Sequence, residues 1–137
     1  MEVFFTSLFS IILSCKNDEN KKQEVDKLPT GKWKITQLKN PQKTIVFDTT
    51  RTYFLEHNIQ NKIIISAEDN SLSGELIVVN KDSFKMENLA VSDVCCNSED
   101  ANLLFSFFYD TIKQEQLENK LILSSNKTVV TLEKQMK

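Results

Sequence analysis

The sequence predicts a small α+β domain: a mostly antiparallel sheet or barrel of about seven to eight strands, with one packed helix near residues 98–113. Three observations lead there. Short β-branched or alternating segments recur between turn signals at intervals of roughly 8–12 residues. One segment alone breaks that rhythm with a helical period. Only Gly 2 and Pro 2 occur in 137 residues, which argues against a loop-rich or disordered chain.

The strands are read in order. Lys32-Trp33-Lys34-Ile35-Thr36-Gln37-Leu38 alternates polar and apolar, as a half-buried strand does. Trp33, Ile35 and Gln37 share one face of it, and Leu38 is where a register shift is expected. Asn40-Pro41 marks a turn. Thr44 to Phe47 and Thr52 to Leu55 are short β-branched or aromatic runs, separated by Asp48 to Arg51. Lys62 to Ser66 is a strand by its run of Ile, Ala67 to Ser71 a turn, and Gly74 to Val79 the next strand. Asn80-Lys81-Asp82 turns the chain into Ser83-Phe84-Lys85-Met86.

The helix follows. Ala101, Leu104, Phe105, Phe108, Tyr109 and Ile112 fall at i, i+3, i+4, i+7, i+8 and i+11, one apolar stripe that should pack on the sheet. Ser98 is a good N-cap, Glu99 and Asp100 suit the positive end of the helix dipole, and Lys113 suits the other end. Lys120 to Ser124 and Thr128 to Glu133 are the last strands, joined by Ser125-Asn126-Lys127. No repeat and no second change of composition divides the domain.

The first 27 residues carry an address. An apolar run from Val3 to Leu13 is about a dozen residues, too short for the ~20 of a spanning helix. It ends at Ile12-Leu13-Ser14-Cys15, and a charged stretch, Lys16 to Lys27, follows at once. An apolar run, a small residue and Cys resemble a bacterial lipoprotein signal, with cleavage before Cys15 and lipid on its thiol. Residues 1–14 are then a signal peptide. Residues 15–27 form a lipidated Cys and flexible tether, too polar to bury a core, and residues 28–137 form the domain. Glu2, the absence of Lys or Arg in positions 1–10, and the bulk of Leu13 depart from the usual signal. Such lipoproteins carry several acyl chains, palmitate among them, and more than one chain is what stable anchoring needs. Asp18 and Glu19 resemble the surface-export signals of Bacteroidetes lipoproteins. The address is therefore the cell envelope, the outer membrane, with exposure at the cell surface as a further expectation.

The rest of the composition excludes more than it offers. Formal net charge is -2 with both signs dispersed, so no clustered Lys and Arg mark a nucleic-acid footprint. Cys95 and Cys96 are adjacent and could bridge each other only with a strained backbone, so they read as buried thiols or as partners for another chain. Asp93, Glu99 and Asp100 nearby would raise a thiol's pKa, which opposes nucleophilic use. A redox-active pair is the sharper alternative. The single histidine, His57, lies in a polar segment and reads as a surface or satisfied residue. With Cys95 and Cys96 it makes a poor metal set. Gly31 and Gly74 stand alone, so no phosphate loop is present. Asn126-Lys127-Thr128 fits a glycosylation sequon, which is meaningless if the protein is bacterial. Neither catalytic, cofactor-binding nor metal residues are assigned.

Ser73-Gly74-Glu75-Leu76, the strand ending in Asp82-Ser83-Phe84-Lys85-Met86, and Leu89 to Cys96 resemble the META domain of the heat-shock-induced outer-membrane lipoprotein family. So do the helix with Phe105 and Phe108, the piece Leu117 to Leu123, Gly31-Lys32-Trp33 and Thr44 to Phe47. The resemblance covers about Leu28 to Lys134. It departs at Glu56-His57-Asn58, where that family has Gly-Cys-Asn, so the disulfide which that Cys would make is not expected. It implies a non-enzymatic envelope role in maintenance or stress response, through an envelope protein partner, with the membrane reached by the lipid on Cys15. The competing resemblance is to lipocalins, whose first strand opens with Gly-x-Trp, here Gly31-Lys32-Trp33. That reading expects an open cavity lined by Phe and Ile; the first expects a filled core.

Overall fold

The structure, a computed structural model, describes residues 28–47, 53–92 and 97–135. In chain order the elements are β1 (Gly31–Lys39), β2 (Thr44–Val46), β3 (Tyr53–His57), β4 (Lys62–Ala67), β5 (Asn70–Asn80), β6 (Ser83–Val91), α1 (Glu99–Phe107), β7 (Ile112–Leu117), β8 (Lys120–Ser125) and β9 (Thr128–Lys134). Neighbouring strands are antiparallel throughout, in the order β2-β1-β3-β4-β5-β6-β7-β8-β9. β9 pairs back onto β1 over Trp33–Lys39, which closes eight of the strands into a barrel and leaves β2 as a short flap on β1. Closure removes the unpaired edges an open sheet would carry. Of the expected sheet or barrel with one packed helix, the structure takes the barrel, and it is more barrel-like than α+β.

Burial alternates along the walls with a period of two, as a pleated strand with one dry face requires. Leu55 and His57 of β3, Ile63, Ile65 and Ala67 of β4, and Leu121 and Leu123 of β8 point inward. β1 keeps its apolar face by a bulge between Ile35 and Gln37. The extra residue moves Gln37 off the inner face, where alternation had placed it, and turns Leu38 inward at zero exposure. Gly74 lies at a second irregularity, opposite Glu87. A Cβ there would stand 2.9 Å from the Glu87 carbonyl oxygen, so a side chain would push β5 off β6.

Turn chemistry matches the loops. Asn126 and Lys127 join β8 to β9, with φ of 49° and 67°, the two positive angles of a type I′ hairpin turn. The β4–β5 loop is Glu68-Asp69, shorter than the expected turn Ala67–Ser71, with Glu68 at φ 60°.

The helix corrects the sequence reading most. It spans Glu99–Phe107, not 98–113. Phe108 caps it, with its N–H on the Phe105 carbonyl at 3.0 Å, and Tyr109 is exposed. Ile112 leaves the helix because β6 takes it: Phe84 pairs with Ile112 and Ser83 with Lys113. Lys113 is therefore a strand residue, and the unforeseen strand β7 brings the described strands to nine. The stripe itself holds at Ala101, Leu104, Phe105 and Phe108, all buried, with Phe107 added to it. α1 packs against β4 and seals one end of the barrel.

Candidate functional site

The interior was the first place a small-molecule site could have formed. Leu55, Ile63, Ile65, Leu72, Leu121, Leu123, Val130 and Leu132 have zero exposure, so none borders a space that a water molecule could occupy. Trp33 is equally buried, and its indole N–H has no hydrogen-bond partner. Among the described residues, the barrel is a packed core.

Polar chemistry gathers at the helix-sealed end. The Glu68 carboxylate accepts from the Tyr53 and Ser98 hydroxyls, each at 2.6 Å, and from the Ser98 backbone N–H at 3.3 Å. The Ser98 hydroxyl in turn accepts from the Ala101 N–H at 3.1 Å, the cap that its sequence position had suggested. Beside it, buried Asn70 donates to Asn97 at 2.6 Å and accepts from the Ser92 hydroxyl at 3.1 Å. Ser92 and Asn97 flank residues 93–96, so one side chain ties both ends of the segment that carries Cys95 and Cys96. Those two cysteines and Asp93 lie outside the described residues, as does Cys15.

An open groove of about 460 Å³ runs between the β1–β2 turn and α1. Asn40, Gln42 and Lys43 line one wall, and Glu99, Asn102, Leu103 and Ser106 the other. Lys43 Nζ reaches Asp100 at 3.5 Å across one end of it; both groups are half exposed, so the pair adds little stability. The groove offers shallow, mixed hydrogen-bonding chemistry suited to a polar surface. It has no paired nucleophile and base.

Of the two sequence readings of His57, surface or satisfied, the structure removes the first. His57 is the last residue of β3, faces inward, and is buried. Nδ1 lies 3.3 Å from the Pro29 carbonyl and Nε2 3.3 Å from Asn61 Oδ1, so the ring stands between two acceptors where the chain enters β1, and the one N–H of a neutral imidazole donates to one of them. The length of β3 separates it from the end where Ser92 and Asn97 sit. No cluster of three or more His, Cys, Asp or Glu able to hold a metal occurs among the described residues. Sequence reading missed the Glu68–Ser98 and Asn70 contacts, because no pattern links residues about 30 positions apart.

No protein-family model matches the chain, and no curated protein matches it. The fold does have solved counterparts. A protein from Burkholderia xenovorans is 10% identical with a TM-score of 0.67, covering 100% of this chain and 96% of that one. A DUF4847 family protein from Bacteroides vulgatus ATCC 8482 is 12% identical with a TM-score of 0.56, over 78% and 95% of the two chains. A protein from Bacteroides eggerthii DSM 20697 is 15% identical with a TM-score of 0.52, over 77% and 98%. At these identities the likeness is one of fold.

Proposed function

We propose that the chain is a non-enzymatic cell-envelope lipoprotein, anchored by lipid on Cys15, which works through protein contacts on the outside of its barrel. The packed interior supports this reading: among the described residues the inward side chains such as Leu55, Ile65 and Leu121 have zero exposure, which leaves contact chemistry to the outer surface. The groove between the β1–β2 turn and α1 offers polar donors and acceptors for such a contact. The META-like motifs of Ser73 to Glu133 supply the expected role, in envelope maintenance or stress response at the outer membrane.

A second reading, a lipocalin-like carrier of a small apolar molecule, is favoured by the closed eight-stranded barrel and by Gly31-Lys32-Trp33 at the opening of β1. It requires core side chains such as Leu55 and Ile65 to move apart.

Fractionation with surface protease digestion tests the proposal, comparing wild type with Cys15→Ala. Wild type should sediment with the membrane and the variant should be soluble. Both proteins soluble in the cytoplasm would defeat the reading and reopen a redox role for Cys95 and Cys96.

A further inference from the structure

The two ends of the barrel differ in what their turns expose. At the helix-sealed end the turn residues are polar: Asn40-Pro41-Gln42-Lys43, Glu68-Asp69 and Ser125-Asn126-Lys127. At the other end, aliphatic side chains stand at all three turns. Ile59, at the β3–β4 turn, is 89% exposed. Leu117, next to the β7–β8 turn, is 48% exposed. Val78 and Val79, just before the β5–β6 turn, are 53% and 47% exposed.

The two valines are adjacent on a strand and should face opposite sides, one of them inward. Both are exposed because β5 outruns β4. The last link between them is the Leu76 N–H on the Asn61 carbonyl at 2.8 Å, and Ile77–Asn80 continue past it. Val46, Val91 and Tyr109 are also exposed, at the ends of β2 and β6 and after α1, but no two of them share a turn. Scattered single aliphatics are ordinary on a protein surface; three turns of one end sharing them is not.

We propose that this end of the barrel rests on the bilayer surface, with Ile59, Val79 and Leu117 entering the headgroup region. The inference rests on the lipoprotein reading of Cys15. The chain enters β1 at this end: Gly31 pairs with His57, and Pro29 meets the same histidine. From Cys15 to Lys27 the tether is a short one. Its thirteen residues reach ~45 Å at most. The lipid is therefore tied to the barrel at this end rather than at the helix-sealed end. Charge agrees with that orientation. Lys62, Lys81 and Lys120 adjoin the three aliphatic turns beside Asp82 and Glu118, whereas at the far end Glu68, Asp69, Glu99 and Asp100 outnumber Lys43 and Lys127, and anionic headgroups would repel that excess. The groove beside α1 then faces away from the bilayer, open to a partner.

The test uses the full lipidated chain, reconstituted through its own acyl chains into phosphatidylethanolamine–phosphatidylglycerol vesicles doped with brominated phosphatidylcholine. Ile59→Trp and Gln42→Trp place an indole at opposite ends, over the same background from buried Trp33. Bromine should quench the Ile59→Trp emission at least threefold more than that of Gln42→Trp, with a blue shift for the former only. A footprint on the unsubstituted protein gives a second readout. Lys62, Lys81 and Lys120 should lose reactivity toward a water-soluble acylating reagent on vesicles, relative to the unanchored Cys15→Ala protein, while Lys43 and Lys127 do not. Equal quenching with an unchanged footprint, or stronger quenching of Gln42→Trp, overturns the docking. A chain whose Cys15 carries no acyl mass and does not float with vesicles overturns the lipoprotein reading itself, and the docking with it.

Discussion

The hydroxyl of Ser98 donates a 2.6 Å hydrogen bond to the carboxylate of Glu68, thirty residues earlier in the chain. Ser98 is the N-cap of α1 and Glu68 sits in the β4–β5 loop, so one contact fixes the helix onto the mouth of the barrel. The carboxylate lies at the positive end of the helix dipole and also takes the Ser98 N–H. It further holds Glu68 at φ 60°, an angle glycine would adopt more easily.

Loss of either partner should loosen the helix. Ser98→Ala should cost about 1 kcal/mol, the usual price of a lost cap. Glu68→Gln should cost roughly 1–2 kcal/mol, since it weakens charge-assisted bonds to two hydroxyls. In urea unfolding the double variant should lose less than the sum, because the two act through one network. Strictly additive losses would show that the contact does not couple loop and helix.

Gly74→Ala should destabilise by about 1–3 kcal/mol, as overpacking does. The added methyl meets the Glu87 carbonyl oxygen at 2.9 Å and Leu89 Cδ2 at 3.0 Å. Backbone cannot step aside as a side chain can. An unchanged midpoint in thermal unfolding would mean that β5 and β6 have slack at this point.

The β8–β9 turn should respond in the opposite direction. Lys127 holds φ at 67° in a position where a type I′ turn prefers glycine. Lys127→Gly should therefore stabilise the fold by about 0.5–1 kcal/mol. Calorimetry showing a lower midpoint would sink this account of the turn.

A packed interior makes its own prediction. Ile65→Ala should cost about 2–5 kcal/mol, through lost burial and the cavity left behind. The wild-type protein should neither brighten an apolar dye nor shift the emission of Trp33, which should resist acrylamide. Saturable fatty-acid binding by the wild type would instead favour the lipocalin-like reading.

The functional groups were less legible than the fold. The proposed lipidation position, Cys15, rests on a linear pattern that needs no structure, and it lies outside the described residues. His57 was read as part of a polar segment from its neighbours Glu56 and Asn58, yet β3 turns it inward. Its burial depends on the registers of β1 and β4 beside it, which no local window contains. Asn70 was read within a turn, whereas it heads β5 and ties Ser92 to Asn97.

Local chemistry was enough to place every strand but β7, at least in part, and it placed the hairpin at Asn126-Lys127 and Ser98 as a cap. Alternation, β-branching and side-chain capping act within a few residues, so the chain displays them directly. Long-range pairing settled the remainder. The stripe from Ala101 to Ile112 satisfies a helical period throughout, but Ile112 gains a strand partner in Phe84 and the helix stops at Phe107. The bulge that turns Leu38 inward exists because β9 pairs along β1, and that same pairing closes the barrel. A propensity differs between helix and strand by less than about 1 kcal/mol per residue, so a partner fixed elsewhere in the chain overrules it.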